Sequence, residues 1–144
     1  MKKLDRSFYL RDNVVAIAKE LIGKRLCTNI DGVITSGIIV ETEAYSGRND
    51  KACHANNGKL TKRTSVMFEE GGLAYVYLCY GIHNLFNIVT NTKGNADAVL
   101  IRAIEPDSCF ELMNERRNFP KRKYSVGSGP GCVSQALGIN QMHY

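Results

Sequence analysis

The sequence of 144 residues has little that would mark a fibrous, membrane or secreted protein. Its 3 prolines and 13 glycines follow no period, which excludes a collagen-like chain. No apolar run approaches the roughly 18 residues that a membrane helix needs. The charged segment 1–6 leads into no apolar stretch of the kind that secretory signals have. We therefore expect a globular protein of the cytoplasm or the nucleus, without a membrane partner.

Paired cysteines are also lacking. The 5 cysteines lie more than twenty residues apart and form no CxxC pair. Such a scattered, odd set is typical of reduced thiols, most of them buried. His54 follows Cys53, but without a second pair of ligands these two make a poor tetrahedral site. The sequence predicts neither a disulfide framework nor a metal site.

The chain does have a basic surplus and enough apolar residues for a core. It carries 19 Lys and Arg against 14 Asp and Glu, a net charge of +5, and 44% of its residues are hydrophobic. Lysines and arginines are concentrated in two segments, 116–123 and 46–64. Segment 46–64 has no hydrophobic periodicity. A structureless loop near twenty residues long is usually functional. These features predict one basic domain with an anionic partner.

Hydrophobic spacing predicts an α/β (α+β) domain with a mainly antiparallel sheet. A helix is expected over 14–22, with Asp12 as its N-cap and Gly23 at its end. Asp31-Gly32 favours a tight hairpin, and Asp107 is placed to cap a helix reaching about residue 118. A short helix is expected at 133–137, after the Gly-rich turn 127–131. Strands are predicted at 25–30, 33–45, 73–80, 84–91 and 98–105.

Carboxylates and tyrosines mark the candidate site. Glu41, Glu43 and Tyr45 alternate along one strand, so their side chains should share a face. They are either solvated on an edge strand, or one carboxylate at the sheet edge is a general base for water. Tyr75 and Tyr77 should also share a face. Tyr80 is expected on the other face or at a turn tip, where an aromatic ring can enter a stack of bases.

Several motifs in register resemble the alkyladenine (3-methyladenine) DNA glycosylase family, in order from about residue 5 to residue 140. They are VETEAY at 40–45, DKACH at 50–54, KRT at 62–64, VMF at 66–68, YVY at 75–77 with Tyr80-Gly81, NIV at 87–89, VLIRAIEP at 99–106, GPG at 129–131 and QALGI at 135–139. The resemblance implies a single compact domain with a curved, mainly antiparallel sheet and flanking helices, like the C-terminal domain of formyltransferases. It also implies that no metal or organic cofactor is used, and a place at the nucleoid in the cytoplasm of a bacterium or in the nucleus of a eukaryote. A monomer is expected, as the default for an enzyme that scans DNA.

The resemblance carries roles to individual residues. Glu43 matches the glutamate that activates water, and Arg102 matches an arginine that helps to hold this water. Tyr45 and His54 match one wall of the pocket for the flipped base, and Tyr77 matches the opposite wall. The remaining matches are Asn87, which rejects guanine by a clash with its amino group, and Tyr80, which enters the duplex in place of the flipped nucleotide. In the context of this family, the basic runs at 59–63 and 116–123 are expected to contact DNA phosphates rather than form solvated faces. The expected contacts are Lys62, Arg63, Lys121 and Arg122.

These roles imply a DNA glycosylase that removes alkylated or deaminated purines from double-stranded DNA by base flipping and hydrolysis. No lysine falls on the matched pocket positions, so a Schiff-base lyase step is not expected. The alternatives are a module that binds damaged DNA without cleaving it, and a domain that binds RNA or small molecules with the tyrosines in its core. Family members continue beyond the last matched motif, so residues 1–144 are expected to form a glycosylase domain without the family's C-terminal strands. Cys132 stands where the family often has a basic residue.

Overall fold

Five β-strands form one sheet, against which three α-helices pack, in a computed structural model that describes residues 2–47, 64–118 and 125–143. The strands are β1 (Arg25–Ile30), β2 (Val33–Tyr45), β3 (Ala74–Cys79), β4 (His83–Thr90) and β5 (Asp97–Ser108). The helices are α1 (Val14–Leu21), α2 (Phe110–Arg116) and α3 (Pro130–Leu137). The strand order is β1-β2-β5-β4-β3 and each pair is antiparallel, which confirms the predicted α+β class.

The hairpin of β1 and β2 follows from its turn residues. Asp31 and Gly32 have φ angles of 53° and 82°. Two consecutive positive φ angles produce the turn whose twist matches that of the flanking strands. Both strands have the bounds that the sequence predicts, so this hairpin is specified locally.

Helix α1 begins one residue later than its predicted cap implies. Asn13 is the N-cap, and its side-chain oxygen accepts a hydrogen bond from the backbone N–H of Ala16 over 3.0 Å. The prediction of Asp12 as the cap is wrong, because Asn13 directly precedes the first helical residue. The buried side of α1 consists of Val14, Ile17, Ala18 and Leu21.

The prediction that Asp107 caps α2 is also wrong. Asp107 belongs to β5, where it accepts hydrogen bonds from Ser36 and Arg25. The N-cap of α2 is Cys109, which has a φ of 56° and makes no capping hydrogen bond with its side chain. Long-range pairing within the sheet therefore takes the carboxylate that local spacing assigns to the helix.

The two faces of the sheet carry different apolar clusters. One face and all three helices form the larger core, whose members include Ile17, Ile101, Met113 and Leu137. The opposite face carries a smaller cluster of buried residues. It is made of Met67, Tyr75, Val89, Ala96 and Ala98, with Tyr45, Val66, Phe68 and Tyr77 packed at its margin.

The thiols are more accessible than the sequence suggests. Cys27 and Cys109 are exposed, and Cys79 and Cys132 are half-buried. The expectation of mostly buried thiols is wrong for these residues, and Cys53 lies outside the described ones. On the edge strand β1, Leu26 packs against the core, so the neighbouring Cys27 points outward. In the part of the chain that the structure describes, no helix has the length and apolar character to span a membrane.

Candidate active site

The register of the sheet brings together the carboxylate, amide and tyrosine that the sequence singles out. Glu43 of β2 and Asn87 of β4 are both direct partners of Leu100 in β5. Asn87 also lies opposite Tyr75 of β3. Direct cross-strand partners point to the same side of a sheet. Since strand residues alternate, Tyr77 also points to this side. We call this side the tyrosine face.

Glu43 is joined to Arg102 by a charge-assisted hydrogen bond. Nη1 of Arg102 lies 2.7 Å from Oε2 of Glu43, and Nε of Arg102 donates to Oε1 of Glu41 over 3.0 Å. The bond to Glu41, with the charge of Glu43, raises the pKa of the Arg102 guanidinium, although burial opposes this. The side chains of Glu43 and Arg102 are 40% and 38% exposed. A carboxylate that is oriented but still open to solvent can take a proton from water.

The strand that carries Glu43 is not simply an edge strand. β2 lies between β1 and β5, which corrects the placement of these carboxylates at an outer strand. However, β1 pairs only with residues 33–38 of β2. Among the described residues, the half of β2 from Glu41 to Tyr45 pairs with β5 alone. Within the described ranges, no second strand pairs with β2 next to Glu43.

Tyr45 and Tyr77 pack against the apolar cluster of the tyrosine face. Both are half-buried, while Tyr75 is buried within the cluster. Partial burial fixes an aromatic ring and leaves part of it accessible, as tyrosine tolerates. The predicted common face of Tyr75 and Tyr77 is confirmed by their positions in β3.

Asn87 is held by two strand carbonyls. Its Nδ2 lies 3.3 Å from the carbonyl oxygen of Tyr75 and 3.2 Å from that of Leu85. The residue is 7% exposed. Two hydrogen bonds and burial fix this side chain in one orientation, which a sterically selective group requires.

Tyr80 lies at the tip of the hairpin between β3 and β4. It is 91% exposed and has a φ of 53°, and Gly81 follows with a φ of 72°. The sequence leaves open whether Tyr80 lies across the sheet or at a turn, and the structure places it at the turn. The neighbouring Ile82 is also exposed, so the tip presents two large apolar side chains to solvent.

Two of the basic residues in segment 116–123 form hydrogen bonds within the fold. Nη1 of Arg116 donates to Oγ1 of Thr35 and to the carbonyl oxygen of Ala136. Nη1 of Arg117 lies 2.7 Å from Oε1 of Gln135. These arginines therefore connect α2 to α3 and β2, and are not simply solvated charges.

The other predicted binding residues cannot be placed on this site. His54, Lys62, Arg63, Lys121 and Arg122 lie outside the described residues. In the described ranges, no three His, Cys, Asp or Glu side chains are grouped as metal ligands.

Glu41 has a contact that sequence reasoning does not assign. Its signal is the alternation of Glu41 with Glu43, which brings both carboxylates to Arg102.

Comparison with known proteins identifies the family. The sequence model described as methylpurine-DNA glycosylase matches residues 7–144. A protein of Chlamydia felis is 50% identical over 141 residues, which cover 97% of this chain and 73% of the relative. Relatives from Natranaerobius thermophilus and Clostridium botulinum strain Alaska E43 are 46% and 43% identical, and the matches cover 96% of this chain and 70% and 71% of those proteins. All three carry the provisional name 3-methyladenine DNA glycosylase. The chain belongs to the methylpurine-DNA glycosylase family.

Proposed function

We propose that this protein is a monofunctional DNA glycosylase, which flips alkylated or deaminated purines out of double-stranded DNA and hydrolyses their N-glycosidic bond. One observation carries the proposal. Glu43 shares a sheet face with Asn87 and Tyr77, and Arg102 donates to one of its oxygens over 2.7 Å. This arrangement combines an oriented base for water with groups that can bind a purine.

The proposed reaction needs one carboxylate. Alkylation at a ring nitrogen makes the purine cationic, so the base leaves with the electron pair of the broken N-glycosidic bond and needs no general acid. A deaminated purine such as hypoxanthine is neutral, and a ring nitrogen takes a proton from solvent as the base leaves with that electron pair. A water oxygen bonds to C1′ of the sugar, and Glu43 accepts the proton that this water loses. The charge of Glu43 also stabilises the positive charge that develops on the sugar. The products are a free base and an abasic site.

The tyrosine face supplies features that suit a flipped base. Tyr45 and Tyr77 offer electron-rich rings, which attract a cationic purine more than a neutral one. Asn87 is fixed by two hydrogen bonds and would oppose the amino group of guanine. His54 would complete the wall beside Tyr45, as the family resemblance implies.

The hairpin tip supports base flipping. Extrusion of a nucleotide costs a few kcal/mol of stacking and pairing, and least at a damaged base. Tyr80 is 91% exposed on a tight turn, so its ring can enter the space that the nucleotide leaves. If Tyr80 were buried in the core, its ring could not enter the duplex.

Single-turnover excision tests the proposal. We expect the full chain to release hypoxanthine from a duplex oligonucleotide containing one such base. Glu43→Gln should lower the rate by at least about 100-fold, as loss of a proton acceptor does, while binding of the duplex is retained. Thermal melting checks that the variant is folded.

A module that only binds damaged DNA gives a different result. If the wild-type chain binds the lesion duplex but releases no base, and Glu43→Gln behaves identically, the enzymatic proposal fails. An alkylated purine in the same duplex serves as the second substrate, so that a narrow lesion preference is not mistaken for inactivity.

A further inference from the structure

Arg102 is shared between two carboxylates that belong to the same strand. Its Nε lies 3.0 Å from Glu41 and its Nη1 lies 2.7 Å from Glu43. A guanidinium that meets a single carboxylate commonly binds it with two parallel hydrogen bonds. Here each carboxylate accepts a hydrogen bond from one nitrogen of Arg102. In the described part of the chain, Nη1 of Arg102 is the one donor to Glu43.

The pairing of β2 with β5 makes this sharing possible. Glu43 is opposite Leu100 and Glu41 is opposite Ala103, so the two glutamates flank Arg102 on the neighbouring strand. The register shifts on both sides of Glu41, between Ile39 and Glu41 and between Glu41 and Thr42. Bulges of this kind redirect side chains and are frequent next to active sites.

We propose that Glu41 is a positioning residue, which binds Nε of Arg102 and thereby limits Arg102 to a single hydrogen bond with Glu43. The inference rests on the proposed glycosylase function. Without Glu41, the guanidinium is free to turn and bind both oxygens of Glu43. The second oxygen of Glu43 would then be occupied, and the carboxylate would accept a proton from water less readily. Glu41 therefore acts on the rate of hydrolysis through Arg102, without touching the substrate.

The exposure of Glu41 makes this role testable apart from folding. Its side chain is 59% exposed, so its removal leaves no buried group without a partner. Glu20 is a matched control, since it is also an exposed glutamate paired with an arginine, Arg11, at 2.6 Å. Glu20 lies in helix α1 and not in the sheet. The substitution Glu20→Gln changes the net charge by the same amount as Glu41→Gln.

Single-turnover release of hypoxanthine is measured for Glu41→Gln, Glu41→Asp and Glu20→Gln. We expect Glu41→Gln to be about tenfold slower, less than the loss of a group that contacts the reacting atoms. Glu41→Asp should recover most of this loss, because it keeps the charge that binds Arg102. Glu20→Gln should match the wild type. Binding to a duplex with 2′-fluorinated hypoxanthine nucleotide, which resists hydrolysis, should be unchanged in all three variants.

Two results would overturn the inference. One is a wild-type rate for Glu41→Gln while Glu43→Gln is inactive, which would leave the proposed function intact. The other is equal slowing in Glu41→Gln and Glu41→Asp together with weaker binding or a lower melting temperature, which would indicate a structural role. If the wild-type chain itself releases no base from either lesion, the proposed function fails, independently of Glu41.

Discussion

Asn87 combines burial, two backbone contacts and a position opposite Leu100 on the tyrosine face. A group that rejects a base by steric conflict is effective only if it cannot move away. The hydrogen bonds from Nδ2 to the carbonyls of Tyr75 and Leu85 provide this rigidity. The selectivity of the proposed site should therefore depend on Asn87 more than its rate does.

We predict that Asn87→Ala lowers the preference for hypoxanthine over undamaged guanine by about tenfold or more, the scale of discrimination by one small group in a pocket. Stability should fall by about 1–2 kcal/mol, because two strand carbonyls lose a donor. Excision from matched duplexes and urea unfolding measure the two effects.

Asn91→Ala is the control for this change. Asn91 is also buried, and its Nδ2 donates to Asp97 over 3.1 Å. It should lose stability without any change in selectivity. A loss of selectivity of the same size in both variants would show that general loosening of the sheet, and not Asn87 itself, sets the preference.

At the scale of elements, Asp107 joins β5 to the first hairpin. Partial burial favours a higher pKa of the Asp107 carboxyl, but hydrogen bonds from Ser36 and Arg25, with the charge of Arg25, lower this pKa below its ordinary value. A carboxylate with a lowered pKa in the folded state stabilises the fold above its unfolded pKa of about 3.9. This stabilisation is lost as the pH falls through the folded pKa.

Asp107→Asn should therefore reduce the free energy of unfolding by about 1–2 kcal/mol at pH 7, the scale of hydrogen bonds to a partly exposed charge. The difference from the wild type should shrink as the pH falls below about 4 and through the lower pKa of the folded state, because the unfolded chain takes up a proton there before the folded carboxylate does. Urea unfolding at several pH values measures both quantities. Glu20→Gln, which removes an exposed ion pair, should cost about 1 kcal/mol at most. A pH-independent difference for Asp107→Asn would contradict the role of its charge.

These elements also show which parts of the fold can be predicted from the sequence. The β1–β2 hairpin is predictable because Asp31 and Gly32 specify its turn locally. The role of Asp107 is not predictable from the sequence, because Arg25 lies 82 positions away along the chain. Only the folded sheet brings Asp107 and Arg25 together. Likewise, alternation places Tyr75 and Tyr77 on one face, but the alignment of Glu43 with Asn87 depends on pairing across β5.

At the scale of the whole molecule, the sheet separates stability from proposed chemistry. The helices cover one face and form the larger core with it. The opposite face carries Glu43, Asn87 and the tyrosines, with a smaller apolar cluster that includes Met67. Variants on the exposed part of the tyrosine face can therefore change activity at little cost in stability. The net charge of +5 is available to attract an anionic partner to this molecule.

Binding of duplex DNA should weaken as salt rises, because each neutralised phosphate releases counterions. Lys62→Gln with Arg63→Gln should reduce the slope of log K against log salt by about 1–2, as expected for the loss of two phosphate contacts. The control pair, Arg6→Gln with Arg11→Gln, removes the same charge from residues already paired with Glu70 and Glu20. Its slope should stay close to that of the wild type, measured by fluorescence anisotropy. Equal reductions in both pairs would mean that net charge alone attracts DNA, and that residues 62 and 63 make no specific phosphate contact.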